Sequence, residues 1–342
     1  MRCPSCGRYI FKESTSCQYC GHQFGKESGN GKRKKRRITR RHIAAFFIVI
    51  TLGISLFYFL QHETETADRL VRAAQKEVER GIEILQEVER ELYTLREIQF
   101  ENVDNINSER DYALQSREKV QFLMPRLDEA STFFERAEAF CEKAEELSLP
   151  GWYRQYINVE TEIVQTYAEY CTALKTISTN YIVYYEFSEH YLLGEQLLAN
   201  LMDDMDRGND NLEQGEYGFA VAAFETALEQ IRKAQEEFAA AFKMIDLQYM
   251  TDFLYNVTCM ERALYSLSEA ARQLELGNVD QANLLASLGT RELESLNPVN
   301  KVQLKIQISQ WYADYITEEF HRIEQLKYKG AELENEAEAL RK

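Results

Sequence analysis

Residues 43–60 have the sequence IAAFFIVITLGISLFYFL, eighteen residues without a charged side chain. As an α-helix this run would be about 27 Å long, close to the hydrocarbon thickness of a bilayer of about 30 Å. A helix buried in a soluble core is the alternative, but such helices rarely lack every charge over this length. The run therefore predicts one transmembrane helix over residues 43–61.

Cations precede this run, whereas the first charged residues after it are Glu63, Glu65 and Asp68. Because basic residues close to a span stay in the cytoplasm, we expect a single-pass protein of the cell membrane with a cytoplasmic amino terminus and an extracytoplasmic carboxy-terminal domain. A cleaved signal peptide has its apolar part close to the amino terminus, whereas this run begins only at residue 43. We therefore expect an uncleaved membrane anchor. The cations are also predicted to contact anionic lipid headgroups; they are Lys32, Arg33, Lys34, Lys35, Arg36, Arg37, Arg40 and Arg41.

Charge divides the chain into a basic and an acidic part. Residues 1–42 hold 12 Lys and Arg against Glu13 and Glu27, while the whole chain holds 40 basic and 56 acidic residues. The large part after the run is therefore acidic. Such a part repels phosphates, which argues against nucleic acid as a partner.

Two C-x-x-C pairs occupy the amino terminus, Cys3 with Cys6 and Cys17 with Cys20, and Gly7 or Gly21 follows each pair. Four thiolates at this spacing are typical of one structural Zn²⁺ site, so these cysteines are predicted to be the ligands of a zinc ribbon over residues 1–25. Iron is a possible alternative metal, and a redox dithiol an alternative role. His22 is predicted to be a surface residue, although it could replace a thiolate.

The two knuckles resemble the short zinc-ribbon modules at one end of many prokaryotic membrane proteins, with their CPxCG and CxxCG sequences. The resemblance covers residues 3–24 and implies a structural or protein-contact module without catalysis. Four protein ligands leave no open coordination position for a substrate. Residues 26–42 are predicted to be a flexible basic linker.

Residues 62–342 are predicted to form a large all-α domain of helical hairpins or a bundle, solenoid-like in part. Its first helix, a stalk over 62–100, shows a coiled-coil-like apolar seam that can pair with a second copy as a homodimer or with the chain's own helices. We favour the chain's own helices, because Gly81 weakens a dimer seam. The seam consists of Val71, Ala74, Val78, Gly81, Leu85, Val88, Leu92 and Leu95.

After a polar turn over 102–107, a helix is predicted over 108–147 with a kink at Pro125. Two further helices are predicted, over 152–205 and from Pro298 to residue 341. The helix over 152–205 carries an aromatic group that is predicted to be core. The group consists of Tyr181, Tyr184, Tyr185, Phe187 and Tyr191.

Residues 200–296 resemble tetratricopeptide repeats in part. Gly215 begins one helical-hairpin turn and Gly277 a second, Gly208 lies where that repeat requires a small residue, and Phe224 lies where an aromatic fills the gap. The turns are 62 residues apart, which is not a multiple of the repeat. The resemblance implies packed antiparallel hairpins and suggests a peptide-binding groove.

No nucleophile elbow, phosphate loop or H-E-x-x-H sequence is present, so the chain is predicted not to be an enzyme. Glu318 and His321 have the spacing of half a di-iron site but lack a second pair. Cys141, Cys171 and Cys259 are predicted to be buried thiols, with a disulfide as the alternative, and Asn256 fits a glycosylation acceptor.

These features together predict a membrane-anchored interaction or scaffold protein with a cytosolic zinc ribbon and an extracytoplasmic binding domain for an unknown protein partner. A membrane sensor that passes a signal through its first helix is one alternative. A scaffold whose helical domain faces the cytosol is the other, if the topology is inverted.

Overall fold

The computed structural model describes residues 1–11, 14–24, 40–100, 105–297 and 301–342, with the backbone alone for residues 40–49 and 301. By internal contacts the chain divides into two units, Met1–Tyr58 and Phe59–Lys342. The first contains a small core of Cys3, Ile10 and Cys17, against which Phe24 packs. The second is all-α, as predicted.

Eight α-helices follow one another in the described part of the chain. They are α1 (Arg40–Leu92), α2 (Ile106–Glu145), α3 (Gly151–Glu213), α4 (Tyr217–Met244), α5 (Gln248–Glu275), α6 (Val279–Glu294), α7 (Lys301–Tyr312) and α8 (Glu318–Arg341). A π-helical segment, Ala313–Thr317, lies between α7 and α8. In the described residues β-structure is limited to isolated bridges in the amino-terminal unit.

The helix boundaries differ from the predictions at three places. The first helix ends at Leu92, before the predicted end of the stalk at residue 100. The third helix continues to Glu213, beyond the predicted end at Met205. The last predicted helix is divided by the π-helical segment, in which the backbone hydrogen bonds join residues five apart instead of four. Part of the predicted polar turn, residues 101–104, lies outside the described residues.

In the part of the chain that the structure describes, no helix is both long enough and apolar enough to cross a membrane. The predicted span over 43–61 includes residues 43–49, whose side chains lie outside the described part, as do residues 32–37 of the basic cluster. The transmembrane helix and its orientation therefore stay predictions.

The apolar seam of α1 is buried by helices of the same chain. Its residues from Val71 to Leu92 belong to the main hydrophobic core. Gly81 lies against the ring of Phe134 on α2 so closely that an added Cβ would be 2.5 Å from the ring atom Cζ. The glycine that weakens a dimer seam is thus required for packing within the chain, which agrees with the favoured prediction.

The hairpin of α3 and α4 has the predicted small-to-aromatic contact. A Cβ on Gly208 would lie 2.5 Å from the ring atom Cε1 of Phe224, and one on Gly194 would lie 2.6 Å from the ring of Phe238. Both rings are fully buried. The two glycines therefore allow α4 to approach α3 through its phenylalanine rings. The turns at Gly215 and Gly277 close the two hairpins as predicted.

Replacing Gly208 by Ala tests this packing. Helix propensity favours alanine by about 1 kcal/mol, but the new methyl group would overlap a fully buried ring, at a cost of about 1–3 kcal/mol. We expect Gly208→Ala to lower the free energy of unfolding measured by urea denaturation. In the double variant with Phe224→Leu, the total loss should be smaller than the sum of the losses in the two single variants.

Gly151→Ala is the control, because nothing lies within 4 Å of a Cβ at that position. Gly208→Ala proteins that unfold at a higher urea concentration than the unmodified chain would contradict the close approach of α3 and α4.

Candidate functional site

Two loops of the same design bring the four amino-terminal cysteines together. The N–H of Cys3 donates to the Arg8 carbonyl at 2.8 Å, and the N–H of Gly7 donates to the Cys3 carbonyl at 2.8 Å. The same two bonds recur fourteen positions later: the N–H of Cys17 donates to the His22 carbonyl at 2.7 Å, and the N–H of Gly21 donates to the Cys17 carbonyl at 2.8 Å. Gly7 and Gly21 have φ angles of 72° and 73°, which residues with a Cβ rarely adopt.

The sulfur atoms of Cys3, Cys6, Cys17 and Cys20 all lie within 4.8 Å of one another. The Sγ atoms of Cys3 and Cys20 are 3.6 Å apart, and those of Cys6 and Cys17 are 3.7 Å apart. A tetrahedral site with Zn–S bonds of about 2.3 Å separates its sulfurs by about 3.8 Å. The cluster could therefore bind a metal ion such as zinc.

The electrostatics of the cluster are compatible with a bound cation. The backbone N–H of Tyr19 lowers the pKa of the Cys17 thiol to about 7. At Cys20 the N–H of His22 favours the thiolate, but burial and the neighbouring sulfurs outweigh it and raise the pKa to about 12. Four thiolates this close repel one another unless a metal ion neutralises them.

His22 lies beside the cluster rather than in it. Its Nδ1 is 2.9 Å from the hydroxyl of Ser5, and its ring contacts Phe24 edge to face. Ser5 and His22 are both exposed, and an exposed His22 is what the sequence predicts. In the residues that the structure describes, the four cysteines are the single group of three or more side chains that could hold a metal.

The other predicted candidates are not assembled into a site. Nδ1 of His321 is 3.8 Å from Glu318 on an exposed surface of α8. The thiols Cys141, Cys171 and Cys259 are buried and free, as predicted for core residues. The amide of Asn256 donates to the carbonyl of Asn297 at 2.8 Å, so the predicted glycosylation acceptor has a structural contact.

A cavity of about 330 Å³ lies between α1, α3 and α8, and sequence reasoning missed it. Its lining combines Val78, Ile82 and Ile163 with acidic residues, including Glu160 of α3. Glu160 is buried and accepts a hydrogen bond of 2.7 Å from Gln75. Burial raises the pKa of Glu160, and hydrogen bonds from Tyr156 and Gln75 oppose the increase without cancelling it. Nothing in a local sequence pattern marks this carboxyl, because the cavity is formed by three helices distant in sequence.

The described structure thus defines a class: a four-cysteine cluster that could hold a metal, followed by an all-α domain. Comparison of the chain with protein-family models, with curated proteins and with solved structures gives no match.

Replacing Cys3 by Ser should reduce the metal bound per chain, because a hydroxyl is a poorer zinc ligand than a thiolate. We expect about one equivalent of zinc in the purified unmodified chain and much less in the variant, measured by elemental analysis together with a chromogenic chelator. The helical content of the domain in circular dichroism should not change, since the cluster has its own small core.

The matched control is Cys171→Ser, in which a hydroxyl can still donate to the Leu127 carbonyl that the thiol contacts at 3.3 Å. Equal metal contents in Cys3→Ser and Cys171→Ser would contradict a metal site at the amino terminus.

Replacing Glu160 by Gln should stabilise the domain at neutral pH. A carboxyl whose pKa is raised by folding costs stability when ionised, and this cost grows as pH rises through its ordinary pKa and is complete above the raised one. The amide keeps the shape and an oxygen that can accept from Gln75, but it carries no charge. The gain in unfolding free energy should therefore be largest near pH 7 and shrink towards about pH 4.5.

Glu79→Gln is the control, because Glu79 lines the same cavity but is exposed. A gain for Glu160→Gln that is constant between these pH values would show that burial of the charge is not its cause.

Proposed function

We propose that this chain is a non-enzymatic, single-pass membrane-anchored protein in which a zinc ribbon on the cytoplasmic side is tethered to an extracytoplasmic helical domain that binds a protein partner. The metal ion would fold and stabilise the ribbon, and the span would keep both binding parts at the membrane. The proposal rests mainly on one observation, the exposure of the charge-free segment of α1.

Every residue from Ile50 to Phe59 is exposed, although the segment is almost entirely apolar. Leu52 is 64% exposed and Phe57 is 66% exposed. Contiguous apolar surface of this kind is rare on soluble proteins and is typical of membrane or protein contact. Lipid is favoured here because the apolar residues occur all round the helix rather than along one face.

The all-α domain has a second exposed apolar surface, on α5 and α6. Helix α6 buries only Ala282 and Gly289 among its described residues. Tyr265 and Leu288 are exposed and line a cavity of about 400 Å³ between α4, α5 and α6. Exposed aromatic and leucine side chains beside ion pairs are common in protein-binding surfaces. This surface supports a protein partner for the helical domain.

The topology can be tested with the full chain carrying a tag at each end. In intact cells treated with protease, we expect loss of the carboxy-terminal tag and protection of the amino-terminal tag, because the cations before the run are retained in the cytoplasm. Changing all eight cations to Gln should weaken this orientation and leave part of the population with a protected carboxy-terminal tag.

A carboxy-terminal tag that is protected in the unmodified chain would overturn the extracytoplasmic location of the helical domain. Release of the chain from membranes by alkaline carbonate would overturn the membrane span itself.

A further inference from the structure

Trp152 is an exposed aromatic residue at an otherwise well-packed corner between α2 and α3. Its side chain is 56% exposed, whereas its neighbours Leu149 and Tyr153 are buried. The indole ring contacts the Tyr153 ring edge to face, with centroids 5.2 Å apart. This contact orients the indole but covers little of its surface.

The corner is held against the beginning of α1 within the all-α unit. The N–H of Ser148 donates to Oε2 of Glu63 at 3.2 Å. The hydroxyl of Tyr153 donates to Oδ1 of Asp68. Further along both helices, Gln75 of α1 donates to Glu160 of α3 at 2.7 Å. The pairs Asp68–Tyr153 and Gln75–Glu160 have the same separation of 85 residues in the chain. Helices α1 and α3 therefore run in the same direction side by side, and Trp152 lies level with Ala67.

This level places Trp152 close to the end of the apolar run. Ala67 follows Leu60 by two helical turns, which is about 10 Å along α1. Side chains on a helix tilt towards its amino-terminal end, so the indole extends from that level back towards Leu60. The headgroup layer on each side of the hydrocarbon is about 5–8 Å thick. The indole and this layer are at the same height when Leu60 lies at the hydrocarbon boundary.

We infer that Trp152 is an interfacial anchor, whose indole inserts into the lipid headgroup layer beside the all-α domain. The inference rests on the proposed membrane span. An indole suits this layer because its ring is apolar while its N–H donates to headgroup oxygens. With α1 as the first attachment and Trp152 as the second, the domain is held at a fixed tilt on the lipid surface.

The other tryptophan of the chain provides a matched control, since the sequence contains two. Trp311 stacks on Tyr184, whose hydroxyl accepts a hydrogen bond of 2.8 Å from the N–H of Ile98. Ile98 lies past the end of α1 at Leu92. That end is 32 residues after Leu60, or about 48 Å along the helix. Trp311 therefore belongs to the end of the domain far from the lipid.

The test uses the full chain with Trp311→Phe, in which Trp152 is the remaining tryptophan fluorophore. The chain is reconstituted into phosphatidylcholine vesicles whose lipids carry bromine, which quenches indole emission. The bromine lies either just below the headgroups or deep in the acyl chains. We expect loss of emission that is largest with the shallow bromines, because the indole lies at the headgroups. The chain with Trp152→Phe should lose no emission with either lipid.

Flotation with the vesicles separates the two possible failures. A chain that does not float overturns the membrane span on which the inference rests. A chain that floats while Trp152 emission is the same in brominated and unbrominated vesicles overturns the anchor alone. Equal loss from Trp152 and Trp311 would also overturn it, because the register of α1 and α3 does not allow both to reach lipid.

Discussion

Tyrosine hydroxyls buried along α3 donate or accept hydrogen bonds that join the first and last helices to the centre of the domain. A buried hydroxyl without a partner costs about 1–3 kcal/mol, so each ring constrains the segment that supplies its partner. Tyr153 and Tyr170 bond to Asp68 and Glu89 of α1. Just after α1, the Tyr184 hydroxyl accepts from the Ile98 N–H, and the Tyr185 hydroxyl donates to the Arg96 carbonyl. Near the carboxyl end, Tyr181 bonds to Tyr312 and Tyr167 bonds to Glu334. The domain is therefore organised around α3 rather than as a simple row of hairpins.

The same contacts determine where α1 enters the protein core. From Ala67 onward one face of the helix is buried against the chain, and the Tyr153–Asp68 bond lies at this boundary. Before it, from Ile50 to Phe59, the side chains are exposed and carry no charge. A single helix thus has two parts that suit two different surroundings. This change of character is the main support for the proposed tether, in which α1 would hold the domain at a lipid surface and Trp152 would lie in the headgroup layer.

Local sequence patterns predicted the cysteine cluster, the helical class of the domain and both hairpin turns, because each depends on residues a few positions apart. The Gly208–Phe224 contact was also predictable, since the hairpin brings together residues 16 apart in the sequence. The cavity beside Glu160 and the register of Trp152 on α1 were not, because both require contacts across 85 residues. Division of the last helix by a π-helical segment follows no residue pattern that marks it in advance.

The central claim is that α1 passes from lipid into the protein core. The most direct test uses nitroxides attached through a non-natural ketone amino acid, so that the seven cysteines stay intact. Labels at Leu52 and Leu56 are compared with labels at Glu83 and Gln86, exposed positions of the same helix beyond the predicted span. In vesicles the account predicts that the first two labels collide more often with oxygen, which concentrates in lipid, and the last two with an aqueous nickel chelate. More frequent nickel collisions at Leu52 and Leu56 would show that this part of α1 lies in water and would contradict the account.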